Sequence, residues 1–229
     1  MTYDGIRPEG FHLLARNKFE NSKEFYEAHK EELKRLVITP LAQIVESLAG
    51  DFARLDPQMR LEPTRIISRV RRDTRFTKEK HLYRDHVWIT FARKGEEPMV
   101  WPCMWFEITP DENSWTAGVC VYAAVPDYMQ YLRSRIAQSP GEFLHAAQAA
   151  LDAGAVLETE AYKKDRAPEA PKALKPYLNA KAWYFKFASQ DMDALAREDF
   201  ADNTLRGIYA AYAPIYGYLR EAAQGYLAA

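Results

Sequence analysis

The sequence of 229 residues contains only two cysteines, Cys103 and Cys120, and no long hydrophobic run. Two cysteines are too few for the disulfide framework that small secreted domains need. The first ten residues hold no apolar segment typical of a secretory signal, and no run approaches the ~18 apolar residues of a membrane span. We therefore expect a soluble protein of the reducing cytoplasm that makes no contact with membranes.

The common sequence signatures of catalysis are also missing. The chain has no glycine-rich phosphate loop, no dinucleotide-binding fingerprint and no Gly-x-Ser-x-Gly nucleophile elbow. Its five histidines and two cysteines lack zinc-type spacing, and a metal shared by His81 and His86 is not favoured. The sequence therefore predicts no metal site and no cofactor, and it leaves open whether the protein is an enzyme.

Composition and length indicate an ordinary folded protein. Hydrophobic residues make up 48% and charged residues 28% of the chain, which argues against disorder. A chain of this length can build one sizeable core, and no linker or internal repeat divides it. We expect a single domain over residues 1–229.

The hydrophobic pattern has a helical period at both ends of the chain. A short helix is predicted over residues 10–16. Asn21 and Glu24 have capping-box spacing for a second helix. Thr39 as N-cap with Pro40 at the first helical position predicts the start of a third, whose buried stripe is Leu41, Ile44, Val45 and Leu48. Later helices are expected over residues 126–138 and after a second capping box at Ser139. A closing helix over residues 203–224 should be kinked by Pro214.

The middle of the chain has the period of β-strands. Strands are predicted over residues 65–72, 86–92, 104–109 and 115–123, and a late strand over residues 183–188 is expected to join them. The turn residues 110–113 are too short for a crossover, so neighbouring strands should be antiparallel. The sequence thus predicts an α+β fold in which an antiparallel, meander-type sheet packs against N-terminal and C-terminal helices.

Charge is distributed unevenly along the chain. The whole chain has a formal net charge of −1, so nothing global attracts it to nucleic acid or anionic lipid. Residues 65–84, however, contain eight basic and two acidic side chains, a local net charge of +6, which leaves −7 for the remainder. The predicted location of a functional site is this basic, aromatic-containing segment, taken from Arg65 to His86.

The basic segment holds side chains that suit the recognition of anions. Arginine offers a planar fork of donors to carboxylate or phosphate, and lysine offers a mobile point charge. Asp73 is the one candidate for proton transfer, and otherwise it orients an arginine. The predicted ligand-binding residues are Arg69, Arg72, Arg75, Lys78, Lys80, Tyr83 and Arg84.

The same segment resembles the signature of a family of uncharacterised bacterial and fungal proteins, the domain-of-unknown-function 2461 family. The similarity lies in Arg72-Asp73, Arg75-Phe76, residues 78–80 and Tyr83-Arg84, and it extends to an N-terminal helix motif over residues 21–30. Leu82 stands where the family usually has proline. The resemblance implies a single α+β domain and a shared feature at residues 72–84, but it implies no reaction.

Three hypotheses follow from these observations. The first is the binding, with or without turnover, of a small anionic molecule such as a phosphate ester or carboxylate at the basic segment. The second is a non-catalytic structural or interaction domain in which an arginine–aspartate network only holds a loop in place. The third, nucleic-acid binding, is favoured by Phe76 and Tyr83 among the cations but disfavoured by the net charge of −1. The oligomeric state is left open.

Overall fold

The structure, a computed structural model, describes residues 3–75, 80–93, 100–121 and 125–229. Its α-helices are α1 (Pro8–Glu20), α2 (Lys23–Leu33), α3 (Thr39–Leu55), α4 (Pro63–Ile66), α5 (Pro126–Gln138), α6 (Pro140–Asp152), α7 (Lys175–Leu178) and α8 (Arg206–Leu227). Its strands are β1 (Val87–Phe91), β2 (Cys103–Thr109), β3 (Ser114–Cys120), β4 (Val156–Ala161) and β5 (Ala180–Ser189). Short 3-10 segments cover Pro110–Glu112 and Met192–Ala196, and π-helical turns cover Lys34–Ile38 and Phe200–Leu205.

The five strands form one antiparallel sheet in the order β1-β2-β3-β5-β4. The first three strands follow chain order because tight turn chemistry links β2 to β3, with Asn113 in the left-handed conformation at φ 48°. The late strand lies beside β3 and carries β4 at the outer edge. The predicted α+β fold, with N-terminal and C-terminal helices packed against an antiparallel sheet, is therefore confirmed.

The contacts of the chain group into two compact units, and the single-domain interpretation stays a prediction. The first unit comprises Met1–Phe91, Trp105–Thr116 and Ala188–Arg206. Helix α3 buries the predicted stripe of Leu41, Ile44, Val45 and Leu48. The ring of Phe52 at its end stacks on Phe91 of β1, with centroids 4.1 Å apart. This packing of apolar side chains is the main source of stability in the unit.

The second unit comprises Ala92–Met104, Ala117–Phe187 and Gly207–Ala229. Its core is aromatic: the ring of Phe143 on α6 packs edge-on against Tyr177 and against Tyr218 of α8. The buried Tyr212 hydroxyl donates to the Ala117 carbonyl of β3 over 3.5 Å. Helix α8 is thereby packed on the sheet through one face.

One helical stretch has the length and composition of a membrane span. It is Lys23–Leu55, where α2, a π turn and α3 run without a break. The most apolar window has a mean hydropathy of 1.3, and 44% of that window is buried inside the protein. Core helices of folded proteins can have the same length and composition, and the buried stripe of α3 gives this stretch a packing role.

Four local predictions were wrong. Thr39 caps nothing, because the π turn Lys34–Ile38 carries the helix through it. Ser22, rather than Asn21, caps α2 by accepting from the Phe25 N–H. Ser139 precedes α6 but makes no capping hydrogen bond. Residues 65–72 form the end of α4 and two isolated β-bridges instead of a strand, and the sequence analysis missed β4.

Candidate functional site

The basic segment and the start of β1 form two paired limbs in the first unit, residues 67–75 and residues 80–89. Ile67 pairs with Ile89 and Arg71 pairs with Tyr83, both antiparallel. Between the two bridges the first limb advances by four residues, from 67 to 71, whereas the second limb advances by six, from 83 to 89. Two extra residues on one side of a ladder make a bulge, and bulges re-aim side chains next to many sites.

Helices α1 and α2 hold the second limb in place. Asn21, in the left-handed conformation at φ 46° after α1, accepts a hydrogen bond from the Leu82 N–H through Oδ1 over 2.7 Å. The ring of Tyr83 stacks on Tyr26 of α2 with centroids 5.0 Å apart, and Tyr83 is buried. The family-like residues near position 21 and the basic segment are thus in direct contact.

A cavity of about 520 Å³ opens against the two limbs. This volume lies within the usual range for small-molecule sites. In the described part of the chain, five arginines line it together with one carboxylate, a threonine and a tryptophan. The lining residues are Arg69, Arg71, Arg72, Asp73, Thr74, Arg75, Arg84 and Trp88. We call this the arginine cavity.

Arg84 is the best-fixed cation of the arginine cavity. Its Nη1 donates to the carbonyl oxygens of Arg69 and Arg71, over 2.8 and 3.2 Å. Its guanidinium also lies over the Trp88 ring, 5.0 Å from the centroid. Burial and the nearby charge of Arg72 lower the pKa of Arg84. Among the described residues no carboxylate pairs with Arg84, so Nε and Nη2 keep their donors for another partner.

Asp73 and Arg75 form a fork-like ion pair at the same cavity. The Arg75 Nε lies 3.0 Å from Asp73 Oδ1, and Nη2 lies 2.6 Å from Oδ2. The side-chain hydrogen bonds from Arg75, with its backbone N–H, lower the pKa of Asp73 to about 2. Both side chains are exposed, so the pair is screened by water. Asp73 is therefore ionised at any physiological pH and orients Arg75.

The structure brings together some of the predicted ligand-binding residues and separates others. Arg69, Arg72, Arg75 and Arg84 line the arginine cavity with Asp73. Lys80 is exposed and Tyr83 is buried against α2, and neither is among the lining residues. Lys78 and Phe76 lie outside the described residues.

Sequence reasoning missed Arg71 and Trp88 as lining residues. Arg71 belongs to the basic segment and lies two positions after Arg69, and this spacing was the signal in the sequence that could have identified it. Trp88 lies in β1, and its half-buried position between buried Val87 and Ile89 indicates the face turned toward the cavity. An alternating strand directly after a basic loop was the available signal for this residue.

A second cluster of charged groups lies at the bulge of the second limb. The Asp85 carboxylate accepts hydrogen bonds from Lys18 of α1 and from His86 Nδ1, the latter over 2.9 Å. Lys18 also reaches Asp111 at 3.4 Å. Burial opposes ionisation of Asp85, but hydrogen bonds with Asp111, Lys18 and His86 still lower its pKa. The contact with Asp85 raises the pKa of Asp111.

Neither cluster has the donor set of a metal site. Within residues 3–75, 80–93, 100–121 and 125–229, no three His, Cys, Asp or Glu side chains are grouped to hold a metal ion. The arginine cavity is instead rich in N–H donors, which suit oxyanions.

The sequence of this chain matches the model of a known protein family. Residues 9–218 match a conserved hypothetical protein family, DUF2461. The chain belongs to the DUF2461 family. The match includes both limbs of the basic segment and the helices that hold them. No curated protein and no solved structure was found to match the chain.

Proposed function

We propose that this DUF2461 protein binds a small anionic molecule, a phosphate ester or a carboxylate, in the arginine cavity. The observation that carries the proposal is Arg84, a cation fixed by two carbonyls and a tryptophan ring beside the like charge of Arg72. An anion between them would relieve this repulsion and would accept from the remaining donors of Arg84.

The lining charges favour a ligand with more than one negative charge. Among the described lining residues, five are arginines and one, Asp73, is a carboxylate, which pairs with Arg75. A multiply charged phosphate ester matches this excess better than a single carboxylate group does. The half-buried ring of Trp88 adds an apolar wall for the organic part of such a ligand.

Isothermal titration with inorganic phosphate, a sugar phosphate and citrate would test the proposal. Wild-type protein is expected to bind at least one of them, with an affinity that falls as salt is added. Arg69→Gln and Arg84→Gln should each weaken binding about tenfold or more, because a hydrogen bond to a charged group is worth about 1.5–3 kcal/mol. Arg69 is the safer variant for folding, since its exposed side chain holds no other described group.

Arg35→Gln is the matched control, because Arg35 is exposed in the same unit and lies outside the cavity. It should bind the anions like wild type. Equal affinities in Arg35→Gln and Arg84→Gln would contradict the proposal. Phosphate binding without citrate binding would select the phosphate ester. Tight, salt-sensitive binding of a short oligonucleotide instead would favour the nucleic-acid alternative.

We also propose that the protein acts in the cytoplasm. Cys103 and Cys120 are buried and form no disulfide with each other, and their Sγ atoms lie 3.8 Å apart. A chain with only two cysteines has no disulfide framework, which is typical of proteins in a reducing compartment. Cell fractionation with an antibody against the protein would test this location, and recovery from an oxidising compartment would contradict it.

A further inference from the structure

The bulge of the second limb places His86 against Trp88, a lining residue of the arginine cavity, and beside the Asp85 carboxylate. His86 Nδ1 and Asp85 Oδ1 are 2.9 Å apart. The Asp85 carboxylate, which also accepts from Lys18, can only accept, so Nδ1 carries the hydrogen. The other ring nitrogen, Nε2, is then the basic one, and within the described part of the chain it has no hydrogen-bond partner.

The imidazole is linked to the cavity through Trp88. The His86 ring stacks on Trp88 with centroids 5.4 Å apart and an interplanar angle of 20°. The Arg84 guanidinium lies over the ring of the same tryptophan, which lines the arginine cavity. Arg84 and His86 therefore both contact the Trp88 ring, and the His86 side chain is 35% exposed, so water reaches it.

A histidine whose Nδ1 is held by a carboxylate, next to a group of oxyanion-binding donors, has the parts that hydrolysis needs. We propose that His86 is the general base of a phosphodiester hydrolase site, with Asp85 as its positioning residue. This inference rests on the proposed function, because the arginine cavity must hold the phosphate. It names the substrate class and the reaction of that site.

The proton and bond changes balance without any further reactant. Water gives a proton to His86 Nε2 while its oxygen forms a bond to phosphorus. The bond from phosphorus to one ester oxygen breaks, and the proton on Nε2 passes to the leaving oxygen. The products are an alcohol and a phosphomonoester, and His86 returns to its neutral form. The cavity arginines stabilise the added negative charge of the transition state.

The presence of a base favours a diester over a monoester. Transfer from a monoester passes through a loose transition state in which the nucleophile is activated little. Attack on a diester requires more help from a base, since the attacking oxygen must lose its proton as the new bond forms. Bis(p-nitrophenyl) phosphate and p-nitrophenyl phosphate are the corresponding chromogenic probes.

Release of p-nitrophenolate from both probes would be measured with wild type, His86→Gln, Asp85→Asn and His12→Gln. Wild type should cleave the diester, and His86→Gln should lower kcat by a factor of about 10²–10⁴. Asp85→Asn should lower kcat with little change in KM, because it disturbs the orientation of the base. His12, exposed on α1 and outside both clusters, is the matched control and should keep full activity.

Phosphate binding by His86→Gln, measured by thermal shift, separates the possible failures. Normal phosphate binding with lost turnover supports the inference. Phosphate binding by wild type without diester cleavage would overturn the inference and leave the proposed function standing. Cleavage of the monoester alone, unchanged turnover in His86→Gln, or loss of phosphate binding together with turnover would each overturn the assigned role of His86.

Discussion

Arg75 holds both carboxylate oxygens of Asp73, with Nε 3.0 Å from Oδ1 and Nη2 2.6 Å from Oδ2. Among the described lining residues of the arginine cavity, Asp73 is the one that carries a negative charge. The carboxylate therefore occupies donors that the proposed anion would use, and it would repel that anion. Under the proposed function the pair would act as an internal competitor as well as an orienting contact.

Asp73→Asn is expected to tighten binding of phosphate by about tenfold or less, because it removes one negative charge near a screened site. Since the pKa of Asp73 is lowered to about 2, its charge persists through the whole range above pH 4, and the gain should not vary with pH there. Titration calorimetry at pH 5 and pH 8 measures this.

The melting temperature of Asp73→Asn should match that of wild type, because the ion pair is exposed on both sides. A variant that melts well below wild type would favour the alternative in which the arginine–aspartate network only holds the loop. Glu32→Gln, which removes the exposed partner of Arg35, is a control for loss of a surface carboxylate elsewhere in the unit.

The parts of the fold that the sequence predicted well are those with a strong period. Helix α5 has the predicted bounds, and the bounds of β1 and β2 differ from the predicted ones by one residue at most. The stripe of α3 is buried as predicted. Burial on one face of these elements leaves a regular pattern in the sequence. The exposed edge strand β4, Val156–Ala161, has almost no buried side chain and therefore leaves no such pattern. Thr39-Pro40 is typical of a helix start, but the π turn before it continues the helix, and the Thr39 N–H donates to the Lys34 carbonyl.

The candidate site could be located from the sequence, but its members could not all be predicted. Local charge identified the basic segment, because four of its arginines lie within a few residues of each other. Trp88 and the Lys18–Asp85 contact depend on the bulge and on the packing of α1, which are tertiary features. The sequence leaves open whether the Tyr83 ring stacks on a ligand or anchors the loop, and the structure packs it against Tyr26.

Lys18→Met is expected to destabilise the protein in a pH-dependent way. Lys18 contacts both Asp85 and Asp111, and its loss leaves two carboxylates in contact. The raised pKa of Asp111 means that folding favours its protonated form, so this contribution is present at low pH and lost as pH rises through that pKa. The melting temperature should therefore fall by about 2–4 °C at pH 7, roughly 1 kcal/mol, and by less near pH 4.

Thermal melts of Lys18→Met and wild type at pH 4, 5.5 and 7 measure this difference. Lys30→Met is the control, because Lys30 forms an exposed pair with Glu27 on α2. It should melt like wild type at each pH. A deficit of Lys18→Met that grows toward pH 4 would contradict the assigned coupling of the two aspartates.

Asn21→Ala should destabilise the protein and weaken anion binding together. The change removes the acceptor of the Leu82 N–H, worth about 1–2 kcal/mol, and it places alanine in the left-handed conformation at a further cost of about 1 kcal/mol. Asn21→Gly loses only the hydrogen bond, because glycine adopts that conformation freely. The expected order of melting temperature is wild type, Asn21→Gly, Asn21→Ala.

Asn113→Ala is the matched control for this series. Asn113 also has a left-handed backbone, at φ 48°, but it lies in the turn between β2 and β3 and its side chain holds no described group. Asn113→Ala should lower stability only by the cost of placing alanine in the left-handed conformation, and it should leave the affinity for phosphate unchanged. Equal effects of Asn21→Ala and Asn113→Ala would show that the contact between Asn21 and the second limb contributes nothing.

The two thiols of the second unit should react only when the protein unfolds. Cys103 and Cys120 are buried on neighbouring strands, and the hydrogen bond between them, together with burial, raises the pKa of the Cys120 thiol. The thiolate is the reactive form, so iodoacetamide should modify neither residue in the native state at pH 7.5. Mass spectrometry across a urea series should show both modified together along the unfolding transition, while glutathione added as a control reacts at all urea concentrations. Modification of one cysteine without urea would mean that the β2–β3 pair opens locally, well below the free energy of global unfolding.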